Sequence, residues 1–242
     1  MKIAIAQIEP VIGNIPANIE KHTKLVNRAI SLRSDAIFFP ELSLTGYEPT
    51  ISKRLASNQQ DKRLDVLQKL SDENTITIGA GLPTKDHFGI RISMVIFQPD
   101  QPRKTYSKQL LHEDEKPYFV NGKQQLSIAV KGEIIVPGIC YECFQPQHFS
   151  MTVESGADIY LASVAKSLSG MKEAEEYFSE KAQQYNLLVA LSNSIGLCDD
   201  FVSCGKSSIW NKDGKLIGQM DTDIEGIMVF NTDVNEIVKQ YS

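Results

Sequence analysis

The sequence contains no apolar stretch near the roughly 20 residues that a membrane-spanning helix requires. Its opening, Met1-Lys2-Ile3-Ala4-Ile5-Ala6-Gln7, runs straight into a strand-like pattern, without the apolar core or cleavage pattern of a secretory signal. Cysteine is scarce and late, at positions 140, 143, 198 and 204, unlike the spread framework of a secreted disulfide protein. These absences lead us to expect a cytoplasmic protein. No basic cluster occurs either. With 25 Lys and Arg against 30 Asp and Glu, the net charge is −5, which argues against nucleic acid or an anionic membrane as the main partner. A glycine-rich phosphate loop, a His-Glu-x-x-His pair and a paired-carboxylate glycosidase pattern are also missing. Neither a metal nor an organic cofactor is implied.

What is present is 242 residues, 42% hydrophobic and 23% charged. That is ordinary for a globular chain and ample for a sizeable core. Residues 2–8 read as a strand, 18–30 as a helix with Ile19, Leu25, Val26, Ala29 and Ile30 on one face, and 35–39 as a strand. A helix near 61–70 and strands at 75–82 and 91–97 follow. Residues 125–130 and 133–139 form a hairpin. The opening logic then repeats: a helix near 147–155, a strand at 158–162, a helical stripe of Ala174, Phe178, Ala182 and Tyr185, and a strand at 187–191. A late hairpin turns at Lys212-Asp213-Gly214. Two β-α-β units separated by hairpins predict an α/β fold with two sheets, each covered by helices. No linker or low-complexity segment interrupts 1–242, so one domain is expected.

Three strand ends carry chemistry. The apolar run Glu133-Ile134-Ile135-Val136-Pro137-Gly138-Ile139 ends in Cys140, the run to Phe39-Pro40 ends in Glu41, and Lys104-Thr105-Tyr106-Ser107 ends in Lys108. A lone cysteine is usually an inert core residue. A thiol, a carboxylate and an amine at three strand ends instead form a nucleophilic set that needs no histidine.

At these residues the chain resembles the nitrilase, or carbon–nitrogen hydrolase, superfamily. Its three signatures stand here in order as Phe39-Pro40-Glu41-Leu42-Ser43-Leu44-Thr45-Gly46-Tyr47, Tyr106-Ser107-Lys108-Gln109-Leu110-Leu111 and Gly138-Ile139-Cys140-Tyr141-Glu142. The resemblance runs from Ala4-Ile5-Ala6-Gln7 to Asp213-Gly214. It implies a four-layer α-β-β-α sandwich, a homodimer, and hydrolysis of a small non-peptide amide or carbamoyl compound, releasing ammonia or an amine. Cys140 would be the nucleophile, Glu41 the base and Lys108 the cation that favours thiolate and steadies the oxyanion. The backbone N–H of Tyr141 would be a second oxyanion donor. Glu115 matches the family's second glutamate, with Glu113 and Asp114 as close competitors. Glu142 matches an acidic position that supports the backbone turn. Loops at 47–54, 111–123 and 164–171 would build the pocket, bringing Tyr47 and Lys166 to the substrate. The chain departs from the family where many members carry Arg-Phe-Pro, here Cys143-Phe144-Gln145-Pro146. It departs again at Ala162-Ser163-Val164-Ala165-Lys166-Ser167, a substrate-lining loop that often ends in a tryptophan. Lys166 is then either a surface lysine or the partner of an anionic substrate tail.

Other readings remain open from the residues. Cys140-x-x-Cys143 is the spacing of a redox pair or half a metal site, and Cys143 oxidising with Cys140 would switch an enzyme off. A Cys-His hydrolase would draw on His22, His87, His112 or His148. Of these, His22 on a helix's polar side and His87 in a turn are expected at the surface, and His112 and His148 at or beside the pocket. A nitrilase, or a non-catalytic binding protein on the same fold, completes the set.

Overall fold

The structure, a computed structural model, describes all 242 residues. In chain order the first half holds β1 (Lys2–Gln7), α1 (Ile15–Ser31), β2 (Ala36–Phe38), α2 (Ser52–Leu55), α3 (Asp65–Asn74), β3 (Thr77–Asp86), β4 (Gly89–Phe97) and β5 (Lys104–Ser107). The second half holds β6 (Ile128–Val130), β7 (Glu133–Ile139), α4 (Pro146–Glu154), β8 (Ile159–Val164), α5 (Leu168–Tyr185) and β9 (Leu188–Asn193). The chain closes with β10 (Ile195–Cys198), β11 (Phe201–Cys204), β12 (Ser208–Trp210), β13 (Leu216–Gln219), β14 (Gly226–Asn231) and β15 (Glu236–Tyr241).

Both expected β-α-β units form, one in each of two sheets. The first sheet runs β15-β14-β1-β2-β3-β4-β5 and the second β13-β12-β9-β8-β7-β6. In the first, β1, β2 and β3 are parallel; in the second, β7, β8 and β9 are. These strands are buried on both faces, which is why they read as continuous apolar runs rather than alternations. Helix α1 starts earlier than its apolar face suggests. Asn14 caps it by accepting from the Ala17 N–H, and a proline in its first turn has the fixed φ a helix start tolerates.

Three cores stack the layers. Ile3, Ile5, Phe38, Met94 and Tyr106 of the first sheet meet Ile135, Ile139, Leu161, Ala190 and Ile209 of the second between the sheets. Outside the first sheet, α1 and α3 bury Ile19, Leu25, Val26 and Leu67. Outside the second, α4 and α5 bury Phe149, Ala174, Phe178 and Ala182. The result is the four-layer α-β-β-α sandwich. Each aromatic or large aliphatic side chain buried in this way is worth roughly 1.5–3 kcal/mol. Polar bonds also cross between the sheets, from Ser163 Oγ to the Phe39 carbonyl at 2.9 Å and from Ser192 Oγ to the Ala6 carbonyl at 2.6 Å. No helix is long and apolar enough to cross a membrane.

Four strands go beyond the sequence expectation. β15 is an exposed edge strand, rich in Glu236, Lys239 and Gln240, so it carries no apolar alternation. β14 lies beside β1, and the short β10–β11 hairpin stands apart from both sheets.

Candidate active site

Glu41, Lys108 and Cys140 leave β2, β5 and β7 at their C-terminal ends, where open α/β sheets collect ligands. The first two come from one sheet and the third from the other, so the site lies at the inter-sheet seam. Both turns are strained. Leu42 has φ +50° and Cys140 φ +47°, each costing about 1–2 kcal/mol for a residue with a Cβ. Close backbone contact holds the first turn, since a Cβ on Gly81 would stand 2.4 Å from the Leu42 nitrogen. His22 helps. Its Nδ1 bonds the Asn18 carbonyl at 2.7 Å and so carries the proton. Its Nε2 therefore accepts from Ser43 Oγ at 2.9 Å, and that oxygen accepts the Gly81 N–H at 3.1 Å. Burial pushes His22 down to about 4, keeping it neutral. His22 is thus a core residue, against the surface position expected. Its spacing from Ile19 and Val26, three and four residues, places it on the apolar face and was the available signal.

The three strand ends meet around one ammonium. Lys108 is fully buried, and its Nζ donates to Glu41 Oε1 at 2.9 Å and Glu115 Oε1 at 2.5 Å. Glu115 is 2% exposed and also accepts from Tyr47 Oη at 3.2 Å and the His112 N–H at 2.8 Å. Its competitors are exposed, Glu113 paired with Lys116 and Asp114 with His112. Lys108 therefore takes Glu115 as its partner, while Asp114 stands exposed at the cavity lining and Glu113 lies outside it. The second oxygen of Glu41, Oε2, is buried without a hydrogen-bond partner, although the Cys140 thiol is close enough to favour the ionised carboxylate.

Two carboxylates sharing one cation in a dry site set the electrostatics. Burial, opposed by Lys108 and reinforced by Glu115, lifts Glu41 to about 7. Burial would lower Lys108, but Glu41, Cys140 and Glu115 outweigh it and hold the ammonium charged. Burial and Glu41 together push Cys140 up to about 11 against the pull of Lys108 and Lys166. The resting sulfur is a thiol, and its Sγ sits 3.8 Å from the Ala165 carbonyl.

Cys140 opens onto a cavity of about 370 Å³ lined by Tyr47, His112, Asp114, Glu115, Tyr141, Phe144, Ala165, Lys166, Glu173 and Phe201. A roomier hollow of about 580 Å³ lies at the other end of β7, beside Glu133, and holds no nucleophile. Lys166 is half-buried rather than a surface lysine, with Nζ 4.0 Å above the Phe144 ring. Its backbone is pinned on both sides: the N–H donates to Asn193 Oδ1 at 2.8 Å, and the carbonyl accepts from Asn193 Nδ2 and the Cys204 N–H. Phe201 reaches the cavity from the β10–β11 hairpin, a contributor the sequence reading missed. Tyr141 stands edge-on to His112, their ring centroids 5.0 Å apart. Glu142 is buried and accepts from the Ile139 N–H at 2.8 Å and the Gln109 N–H at 2.6 Å. His148 was expected to line or flank the pocket; it lies fully buried between Tyr106 and Tyr160, away from the lining. His87 is exposed. All four cysteines are free, and no cluster of three His, Cys, Asp or Glu could hold a metal ion.

Comparison with known proteins returns the family model described as carbon-nitrogen hydrolase, matching residues 2–240. The glutamine-dependent NAD(+) synthetase of Aquifex aeolicus (strain VF5) is 26% identical over 245 residues, covering 98% of this chain and 43% of that protein. The chain thus spans less than half the length of such curated relatives. A Staphylococcus aureus protein named hydrolase in agr operon is 22% identical, covering 99% of this chain and 94% of its own. In fold, the chain matches a mutant amidase from Nesterenkonia sp. AN1 with a TM-score of 0.87 at 21% identity, over 96% of this chain and 92% of that one. That structure is described with acrylamide added at its active-site cysteine.

Proposed function

The chain belongs to the carbon–nitrogen hydrolase family, and within it we propose that it hydrolyses a small non-peptide amide or carbamoyl compound through a thioester on Cys140. The observation that carries this reading is the buried, unpartnered Oε2 of Glu41, next to a thiol at the floor of a cavity. A thiol at about 11 is not a ready thiolate, so attack requires a base at the moment of reaction. Glu41 Oε2 takes the Sγ proton as sulfur bonds to the substrate carbonyl carbon. The negative oxygen that forms is held by the Lys108 ammonium and the Tyr141 N–H. Collapse breaks the C–N bond, and Glu41 returns the proton to the departing nitrogen, freeing ammonia or an amine. Water, giving its proton to Glu41, attacks the thioester carbon; the carboxylic acid leaves and the thiol is restored. Glu115 keeps Lys108 aimed, and Tyr47 keeps Glu115 aimed.

Lys166 is assigned to an anionic tail on the substrate. Phe144 supports it, and it is the one cationic side chain in a lining that also carries Asp114, Glu115 and Glu173, so it is the group there that can meet a carboxylate. The likeness to glutamine-dependent synthetases makes glutamine one amide to try. We place the protein in the cytoplasm, as its free thiols suit a reducing compartment, and assign it as one domain of 1–242 acting as a homodimer, which light scattering would test. The functional test is ammonia release from a panel of ω-amides, carbamoyl amines and nitriles. One class should turn over, and Cys140→Ala should abolish it. Silence across the panel, with Cys140 resisting iodoacetamide at neutral pH, would favour a non-catalytic binding protein.

A further inference from the structure

Behind the cavity lies a second buried polar group that the proposed chemistry does not use. Glu142 is fully buried and its carboxylate receives four neutral donors. Oε1 accepts from Tyr106 Oη at 2.6 Å and the Ile139 N–H at 2.8 Å; Oε2 accepts from the Gln109 N–H at 2.6 Å and the Leu110 N–H at 3.3 Å. Ile139 immediately precedes Cys140, and Gln109 immediately follows Lys108. One side chain therefore ties the turn that carries the thiol, from the second sheet, to the segment that carries the ammonium, from the first.

The chain of bonds behind it has a forced direction. Tyr106 has a single hydroxyl proton, and above about pH 7, where Glu142 is ionised, the carboxylate can only accept it. Tyr106 Oη must then accept at its 2.9 Å contact with His148 Nε2, so that nitrogen bears the proton. His148 Nδ1 is left bare and accepts from Tyr160 Oη at 2.9 Å. The four side chains come from the turn after β7, β5, α4 and β8, so the bonds join both sheets to the outer helix layer and end on the second sheet. A Cβ on Gly138 would strike Tyr160 Oη at 2.3 Å, so glycine there leaves room for this chain.

We infer that Glu142 is a positioning residue that holds Lys108 and Cys140 in register, and that Tyr160, His148 and Tyr106 orient the donor that anchors it. It touches no substrate. The inference rests on the proposed role of Cys140, and its test separates the two. In Glu142→Gln the amide –NH2 must face either the Ile139 N–H or the pair from Gln109 and Leu110, so a donor meets donors in both orientations. The folded variant should lose about 10²-fold in kcat, as displacement of about 1 Å at a reacting centre does, with KM within about threefold. Its Cys140 should react with iodoacetamide at least about fivefold more slowly, because a displaced Lys108 no longer favours the thiolate. Tyr106→Phe keeps the three N–H bonds and should lose about tenfold in kcat. Nitrogen NMR of His148 should find the proton on Nε2. Wild-type kcat and alkylation rate in folded Glu142→Gln and Tyr106→Phe, with only the melting temperature lowered, would overturn the inference. A proton on Nδ1 would too, and the tyrosine variant and the NMR decide if Glu142→Gln does not fold. Activity that survives Cys140→Ala would instead remove the reading beneath it.

Discussion

Two buried carboxylates, Glu41 and Glu142, are lifted by burial to the same value of about 7, yet their surroundings give them opposite capacities. Glu41 has one oxygen on an ammonium and the other without a partner, beside the Cys140 thiol. Glu142 has both oxygens filled by neutral donors, three of them backbone N–H groups. A free lone pair can accept a proton; four occupied sites can only hold position. Ionisation alone does not separate a base from a clamp. Unused acceptor capacity does.

Glu41 acts as a base only if the Cys140 thiol is the group it serves. Cys140→Ala should lower turnover of the active amide class by at least about 10⁴-fold, since covalent catalysis disappears with the sulfur. Smaller, and more discriminating, is one chemical change made at two places. Glu41→Gln should cost about 10³-fold in kcat/KM as the base is lost, with the melting temperature unchanged or raised, because a buried charge is removed. Glu142→Gln should lower the melting temperature by leaving a buried donor unpaired, at about 1–3 kcal/mol. If thermal melts and kinetics give the two variants the same profile, the distinction fails.

The two carboxylates also differ in what their titration should do. The base must be ionised to work, so kcat/KM should rise with pH through about 7, an apparent value belonging to the coupled Glu41, Glu115 and Lys108 set. Because the Glu115 charge raises Glu41, Glu115→Gln should move that rise to lower pH while reducing kcat about tenfold through a looser Lys108. Folding stability should run the other way. Both carboxyls are raised in the folded state, so their contribution is full below the ordinary carboxylate range and declines as pH climbs to about 7. The smallest effect is expected at Lys166, where Lys166→Met should raise KM about tenfold for an amide with a carboxylate tail and leave a neutral amide unchanged. Equal KM changes for the two substrates would withdraw the anionic-tail assignment.

Much of the reacting set was legible because each member is the end of a local apolar run. Glu41, Lys108 and Cys140 needed only strand recognition and motif order, and Glu115 needed a motif that two acidic neighbours, Glu113 and Asp114, blurred until burial separated them. The clamp was not legible beyond Glu142 itself. Tyr106, His148 and Tyr160 lie far apart in the chain and look like ordinary core aromatics, and only the packing of two sheets and α4 aligns their polar atoms. His22 was misplaced for a different reason: a polar ring on an apolar helical face outweighed the spacing that put it there. Phe201 was hidden by a hairpin too short to show a period.

The most direct measurement is intact-protein mass spectrometry of the enzyme quenched in acid during turnover of its best amide. The expected result is a mass gain equal to the acyl group, localised to Cys140 and absent in Cys140→Ala. Ammonia released at the wild-type rate by Cys140→Ala, or an acyl adduct on any other residue, would contradict it.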